Sequence, residues 1–240
     1  MKARCAAASF LVLLAWGCGD TVGERVTARV SARGAETRAF DVGDFHVTLD
    51  EVQVGFGPLY LCASNVPSDE LCGTALAELT TSVTVDALDP DAQPLPELEG
   101  TTGEVRSAVF DYGIGWALTS DFPTPGPGAP GGHSMKLRGT AARGDDTFEF
   151  FANVDVTVKA PGRLTTGVAT THALMGDRSH LTVQFDPRGW LEDVDFERLA
   201  NLAAETPDEP VELASGSPSY DAIVISMTAR RRVVFDWSRD

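Results

Sequence analysis

Hydrophobic and polar positions alternate with period two along most of this chain, which is the signature of half-buried strands. The clearest run is Phe148, Phe150, Ala152, Val154, Val156 and Val158, interleaved with Glu149, Phe151, Asn153, Asp155, Thr157 and Lys159. Met135–Ala141 has the same pattern and predicts a hairpin with it across Ala142-Arg143-Gly144-Asp145-Asp146. Val26, Ala28 and Val30 mark another strand. Phe45, Val47 and Leu49 begin a further one, whose phase slips so that Val52, Val54 and Phe56 continue it. A bulge near Asp50-Glu51 accounts for the slip. Val83–Val85, Val105–Phe110, Leu181–Phe185 and Val233–Trp237 complete the strand candidates.

Helical signals are few. Asp193 is placed to cap a helix with Phe196, Leu199, Ala200 and Ala203 on one face. Ser217-Pro218 reads as an N-cap followed by proline in the first turn. The β-branched run Ile223-Val224-Ile225 keeps residues 219–229 open between helix and strand. Asp89–Gly103 reads as an acidic loop. Residues 122–132 hold four prolines and four glycines, too many for a regular element. The expectation is a mainly β fold, a single antiparallel β-sandwich or flattened barrel over residues 25–240, with one or two short helices.

The N-terminus follows a different logic. Lys2 and Arg4 precede an apolar run from Ala6 to Ala15 that ends Trp16-Gly17-Cys18-Gly19. This is a signal peptide over residues 1–17 by pattern. The run is too short to span a bilayer, which takes roughly 20 residues. A cysteine directly after a small residue resembles the bacterial lipoprotein signal. That resemblance implies cleavage before Cys18 and acyl chains, such as palmitate, on its thiol and amine. Residues 18–24 then form a lipidated tether. Gly19 in place of aspartate implies the outer membrane, on its periplasmic or extracellular face. Ala15-Trp16-Gly17 also suits ordinary signal cleavage, which leaves a soluble periplasmic or secreted protein. Cysteine arithmetic favours the lipid: Cys5 departs with the signal, acylation uses Cys18, and Cys62 and Cys72 remain as one disulfide pair. The remainder of the chain resembles no family closely enough to carry a function.

Composition narrows the partners. The formal net charge is −16, and loss of Lys2 and Arg4 makes it more negative still. Nucleic acid, which needs surplus Lys and Arg, is excluded as a partner. Anionic headgroups repel such a chain, so the lipid must hold it at the membrane. An envelope protein or glycan is the partner class left open.

Chemistry-bearing residues are sparse. His133-Ser134-Met135 and His172-Ala173-Leu174-Met175, with His180 nearby, combine imidazole and thioether donors that suit copper. The bland reading is that Met135 is core and the histidines are ordinary, and no cofactor is expected. Asp86, Asp89 and Asp91 offer oxygens to calcium but lack the EF-hand order, so they read as a solvated loop. There is no G-x-S-x-G and no H-E-x-x-H. A carbohydrate-active enzyme with two facing carboxylates is a further alternative, and Trp116 or Trp190 could stack on sugar unless they are core. The leading expectation is a lipid-anchored, non-enzymatic envelope module for binding, assembly or structure. Its binding surface is expected in the loops at 62–72, 89–103 and 122–132.

Overall fold

At Phe56 the chain makes one of several passages between its two large β-sheets. It ends a long strand of the six-stranded sheet, yet its ring lies against Phe110 and Phe235 of the eight-stranded sheet and Phe185 just past one of its strands, at centroid distances of 5.2, 6.4 and 5.7 Å. Gly57 makes the turn possible. Its φ is +105°, and a Cβ there would run into the Thr81 carbonyl.

The computed structural model describes residues 23–64, 72, 75–115, 123–157, 165–174, 178–230 and 233–239. Among them, in chain order, are strands β1 (Arg25–Arg33), β2 (Ala39–Val42), β3 (Phe45–Phe56), β4 (Leu59–Cys62), β5 (Ala75–Leu79), β6 (Val83–Asp86), β7 (Gln93–Thr101) and β8 (Gly103–Phe110). Then follow β9 (Ile114–Gly115), β10 (Thr124–Pro125), β11 (Met135–Arg143), β12 (Asp146–Val154), β13 (Thr165–Leu174) and β14 (Ser179–Gln184). Helices α1 (Arg188–Leu191) and α2 (Phe196–Glu205), strand β15 (Val211–Glu212), helix α3 (Pro218–Ile225) and strand β16 (Val234–Arg239) complete the order.

The larger sheet has eight strands in the order β13-β8-β4-β5-β7-β1-β14-β16. Its two end strands meet side chain to side chain without a backbone ladder, so it is a nearly closed barrel. The second sheet runs β15-β12-β11-β3-β2, with β6 added beside the far end of β3. Most neighbours are antiparallel. The exceptions among the sheet pairs are β1 with β14 and β12 with β15, both parallel.

The expected mainly β fold is therefore found, and so are its local devices. Residues 135–143 and 146–154 pair through a two-residue turn, Gly144-Asp145, with Gly144 at φ +62°. The phase slip in β3 is a bulge: Arg138 faces Glu51 while Gly139 faces Leu49, which leaves Asp50 unpaired. Ser217 caps α3 by accepting from the Tyr220 N–H, and proline follows it. Residues 219–225 are helical, and the last turn loosens into a π-helical stretch at Ser226–Arg230.

Two expectations are corrected. Residues 93–101 form a strand, not a loop. Its two prolines, Pro94 and Pro96, sit in the half of β7 that runs beside β1 alone, because β5 joins it only at Gly100 and Glu99. A one-sided stretch tolerates missing N–H donors. The cap of α2 is Asp195, which accepts from Arg198 N–H at 3.0 Å, not Asp193. Residues 192–194 continue the turn out of α1, with Val194 N–H bonded to the Leu191 carbonyl.

One cluster of buried side chains runs through both sheets and the helices. Trp190, at 1% exposure, packs edge-on to Tyr112 and Phe185 and so belongs to the core rather than to a sugar platform. Phe196 of α2 covers Phe45 and Phe150 on the inner face of the six-stranded sheet. Phe56→Ala should cost about 3–5 kcal/mol, as expected for an aromatic deleted from a packed core. Val234→Ala, at a side chain 57% exposed, should stay within about 0.5 kcal/mol. Urea unfolding of the two variants checks this; equal effects would contradict the placement of Phe56.

Candidate functional site

Packing one face of the six-stranded sheet leaves its other face to solvent. Alternation in β11 turns Met135, Leu137 and Ala141 inward and Lys136, Arg138 and Thr140 outward. Register then sets cross-strand rows. Gln53, Lys136 and Asn153 form one row, and Glu51, Arg138, Phe151 and Glu212 form the next. Neighbours within a row are about 5 Å apart and rows about 7 Å apart by strand geometry.

These residues line an open groove of about 330 Å³, with Glu51, Lys136, Arg138, Phe151, Asn153 and Pro210 on its walls. Lys136 reaches over Gly131, in the turn before β11. Among the described residues neither Lys136 nor Arg138 has a carboxylate within ion-pair distance. Phe151 and Asn153 are half-buried, so each offers an edge or face to the groove. The set provides two free cations, an apolar ring, an amide and a carboxylate on a rigid ladder.

A second, wider groove of about 790 Å³ runs between the β11–β12 hairpin tip and α2. It is strongly acidic, with Asp145, Asp146, Glu149, Asp208 and Glu209 along it. Its one cation, Arg143, is committed: it bridges to Glu197 of α2 and lies 4.6 Å from the centroid of the Phe45 ring. That contact fastens α2 to the hairpin.

The histidine and methionine candidates go to separate places. His133 Nδ1 is 2.8 Å from Asp155 Oδ1. His180 Nε2 is 3.0 Å from Ser31 Oγ. His172 Nε2 is 2.9 Å from Ser179 Oγ, and its ring stacks on Trp237 at 4.3 Å with planes 3° apart. Met135 is fully buried in the core, as is Met227, and Met175 lies outside the described residues. The three imidazoles thus engage three different partners. No group of three His, Cys, Asp or Glu among the described residues could hold a metal ion. In the acidic loop, Asp86 accepts from Leu88 N–H and Asp89 from Asp91 N–H, each at 2.9 Å.

His172 instead joins the barrel. Trp237 Nε1–H donates to Thr170 Oγ1 at 2.6 Å, so the indole binds β13 to β16 by its edge and its face together. The His172–Ser179 pair has the composition of a nucleophilic dyad, but Ser179 is 2% exposed and substrate cannot reach its oxygen.

Cys62 and Cys72 are bonded sulfur to sulfur with Cα atoms 5.5 Å apart, an ordinary span for a bridge and in accord with the expected pair. Residues 65–71 between them lie outside the described residues, as do Cys18, the signal segment, the tether as far as residue 22, and Trp116. Among the described residues no helix is long and apolar enough to cross a membrane.

The outer-face groove was not singled out from sequence. Lys136 is one of only three lysines, and its alternation with Leu137 and Arg138 was readable. What was missing was the partner register that brings Glu51, Phe151 and Asn153 beside it. Comparison with protein-family models, with curated proteins and with solved structures gives no match.

The seam makes stability respond to pH. Burial, helped by the Arg239 guanidinium, holds the His172 pKa below its ordinary value of 6.5. The unfolded chain therefore takes up this proton first. The seam's contribution is full above about pH 6.5 and is lost as pH falls through the lower folded pKa. The urea midpoint should drop between pH 7.5 and 5.5. His172→Phe, which keeps the stack and removes the titration, should show a smaller drop; an equal drop would assign it to other groups.

Proposed function

We propose that this protein is exported, anchored by lipid on Cys18, and acts at the bacterial envelope as a binding module rather than as a catalyst. The observation that carries the reading is Cys18 at the end of the basic, apolar and small-residue segment, close ahead of the first barrel strand at Arg25. The six residues between them span at most about 22 Å, so the anchor holds the barrel at the membrane surface. A covalent Cys62–Cys72 bridge suits an oxidising compartment. The architecture supports binding over catalysis. The two Ser–His pairs among the described residues, His172–Ser179 and His180–Ser31, have buried serines, whereas an accessible groove whose cations have no ion-pair partner among the described residues lies on a paired β-surface. Outer-membrane placement follows from Gly19 and belongs to the same proposal.

Metabolic labelling with an alkyne palmitate in a bacterial host tests this. The chain should be labelled and should sediment with membranes. Cys18→Ser should lose the label and enter the soluble fraction. An unlabelled chain retaining Met1 would overturn the reading.

A further inference from the structure

Resting on that reading, we infer that the outer face of the six-stranded sheet binds an acidic sugar, with a hexuronate carboxylate held between Lys136 and Arg138. The charge balance comes first. In a chain of net charge −16, two cations two residues apart on one strand face the same way, and neither is paired among the described residues. A carboxylate placed between them receives a fork of N–H donors from the guanidinium and a second charge from the ammonium.

The rest of the groove decides what the carboxylate is attached to. Phe151 lies directly across from Arg138 and is half-buried, so it presents an apolar face beside the charge. The C–H face of a pyranose ring suits such a surface. Asn153, across from Lys136, and Glu51, across from Arg138, bring an amide and a carboxylate that exchange hydrogen bonds with hydroxyls. The volume of about 330 Å³ lies at the small end of ligand sites, and the open groove leaves both ends of a sugar chain free. The three strands are laddered together, so the backbone spacing of the donor-bearing residues is set before the ligand arrives.

Titration calorimetry on the full chain, purified from membranes in detergent, tests the inference. Tetragalacturonate should bind saturably and more weakly as salt rises. Maltotetraose, which lacks the carboxylate, should bind roughly tenfold less tightly or worse, a difference of about 1.4 kcal/mol. Lys136→Ala and Arg138→Ala should each weaken tetragalacturonate by roughly tenfold, while Arg198→Ala on α2 leaves it unchanged. Both cations are on the surface, so these variants should melt with the parent. No saturable binding of tetragalacturonate, or binding that survives the double Lys136→Ala/Arg138→Ala variant, overturns the site. Displacement by citrate or inorganic phosphate at the same concentration reduces it to charge alone and overturns the sugar. Palmitate labelling of the same preparation reports separately on the anchor, so failure of the ligand and failure of the envelope reading remain distinct.

Discussion

The shared core is joined at one of the chain's several crossings between the sheets. At Phe56 the chain leaves the six-stranded sheet, turns at Gly57 and becomes β4 of the barrel. Its ring must fill the space bounded by Phe110, Phe185 and Phe235 for both sheets to share one apolar interior. Burying such a ring stabilises by about 1.5–3 kcal/mol through removal of apolar area from water. The neighbours it contacts come from the middle and the end of the sequence, so the core closes only when distant segments have met. β1 illustrates the same constraint: it lies between β7 and β14, and the second pairing is parallel and joins residues about 150 positions apart. Such topology folds slowly relative to helical proteins of equal size.

The barrel closes without a full ring of backbone bonds. β13 and β16 meet through Trp237, His172 and Thr170 instead. An indole suits the task because it offers a hydrogen-bond donor at its edge and a flat apolar face. Burial and the Arg239 guanidinium favour the neutral imidazole there, which links a packing contact to a protonation state. The histidines that looked most like chemistry in the sequence are therefore employed in closure and in side-chain hydrogen bonds.

Local signals were legible and long-range pairing was not. The bulge at Asp50, the turn at Gly144 and the cap at Ser217 are decided by residues within a few positions of one another, and each is read directly from sequence. Strand β7 was missed because Pro94 and Pro96 argue against a strand only when both edges must pair, and which edge is bare depends on where β5 ends. The groove was hidden for the same reason. Lys136 and Arg138 stand on one strand, but Glu51 arrives from β3 and Phe151 from β12. Periodicity says which way a side chain points; it does not say who stands next to it.

The outer face proposed for binding is backed by an opposite face packed into the shared core. β11 is laddered on both sides and carries Met135 and Leu137 inward, so the backbone positions that carry its outward cations are fixed relative to one another. Native-state amide hydrogen exchange tests that claim most directly. The account predicts that the slowest amides of β11 and those of β8 in the barrel exchange through the same opening, with equal free energy and equal denaturant dependence. Exchange of β11 through a separate opening of lower energy, while β8 stays protected, would contradict it.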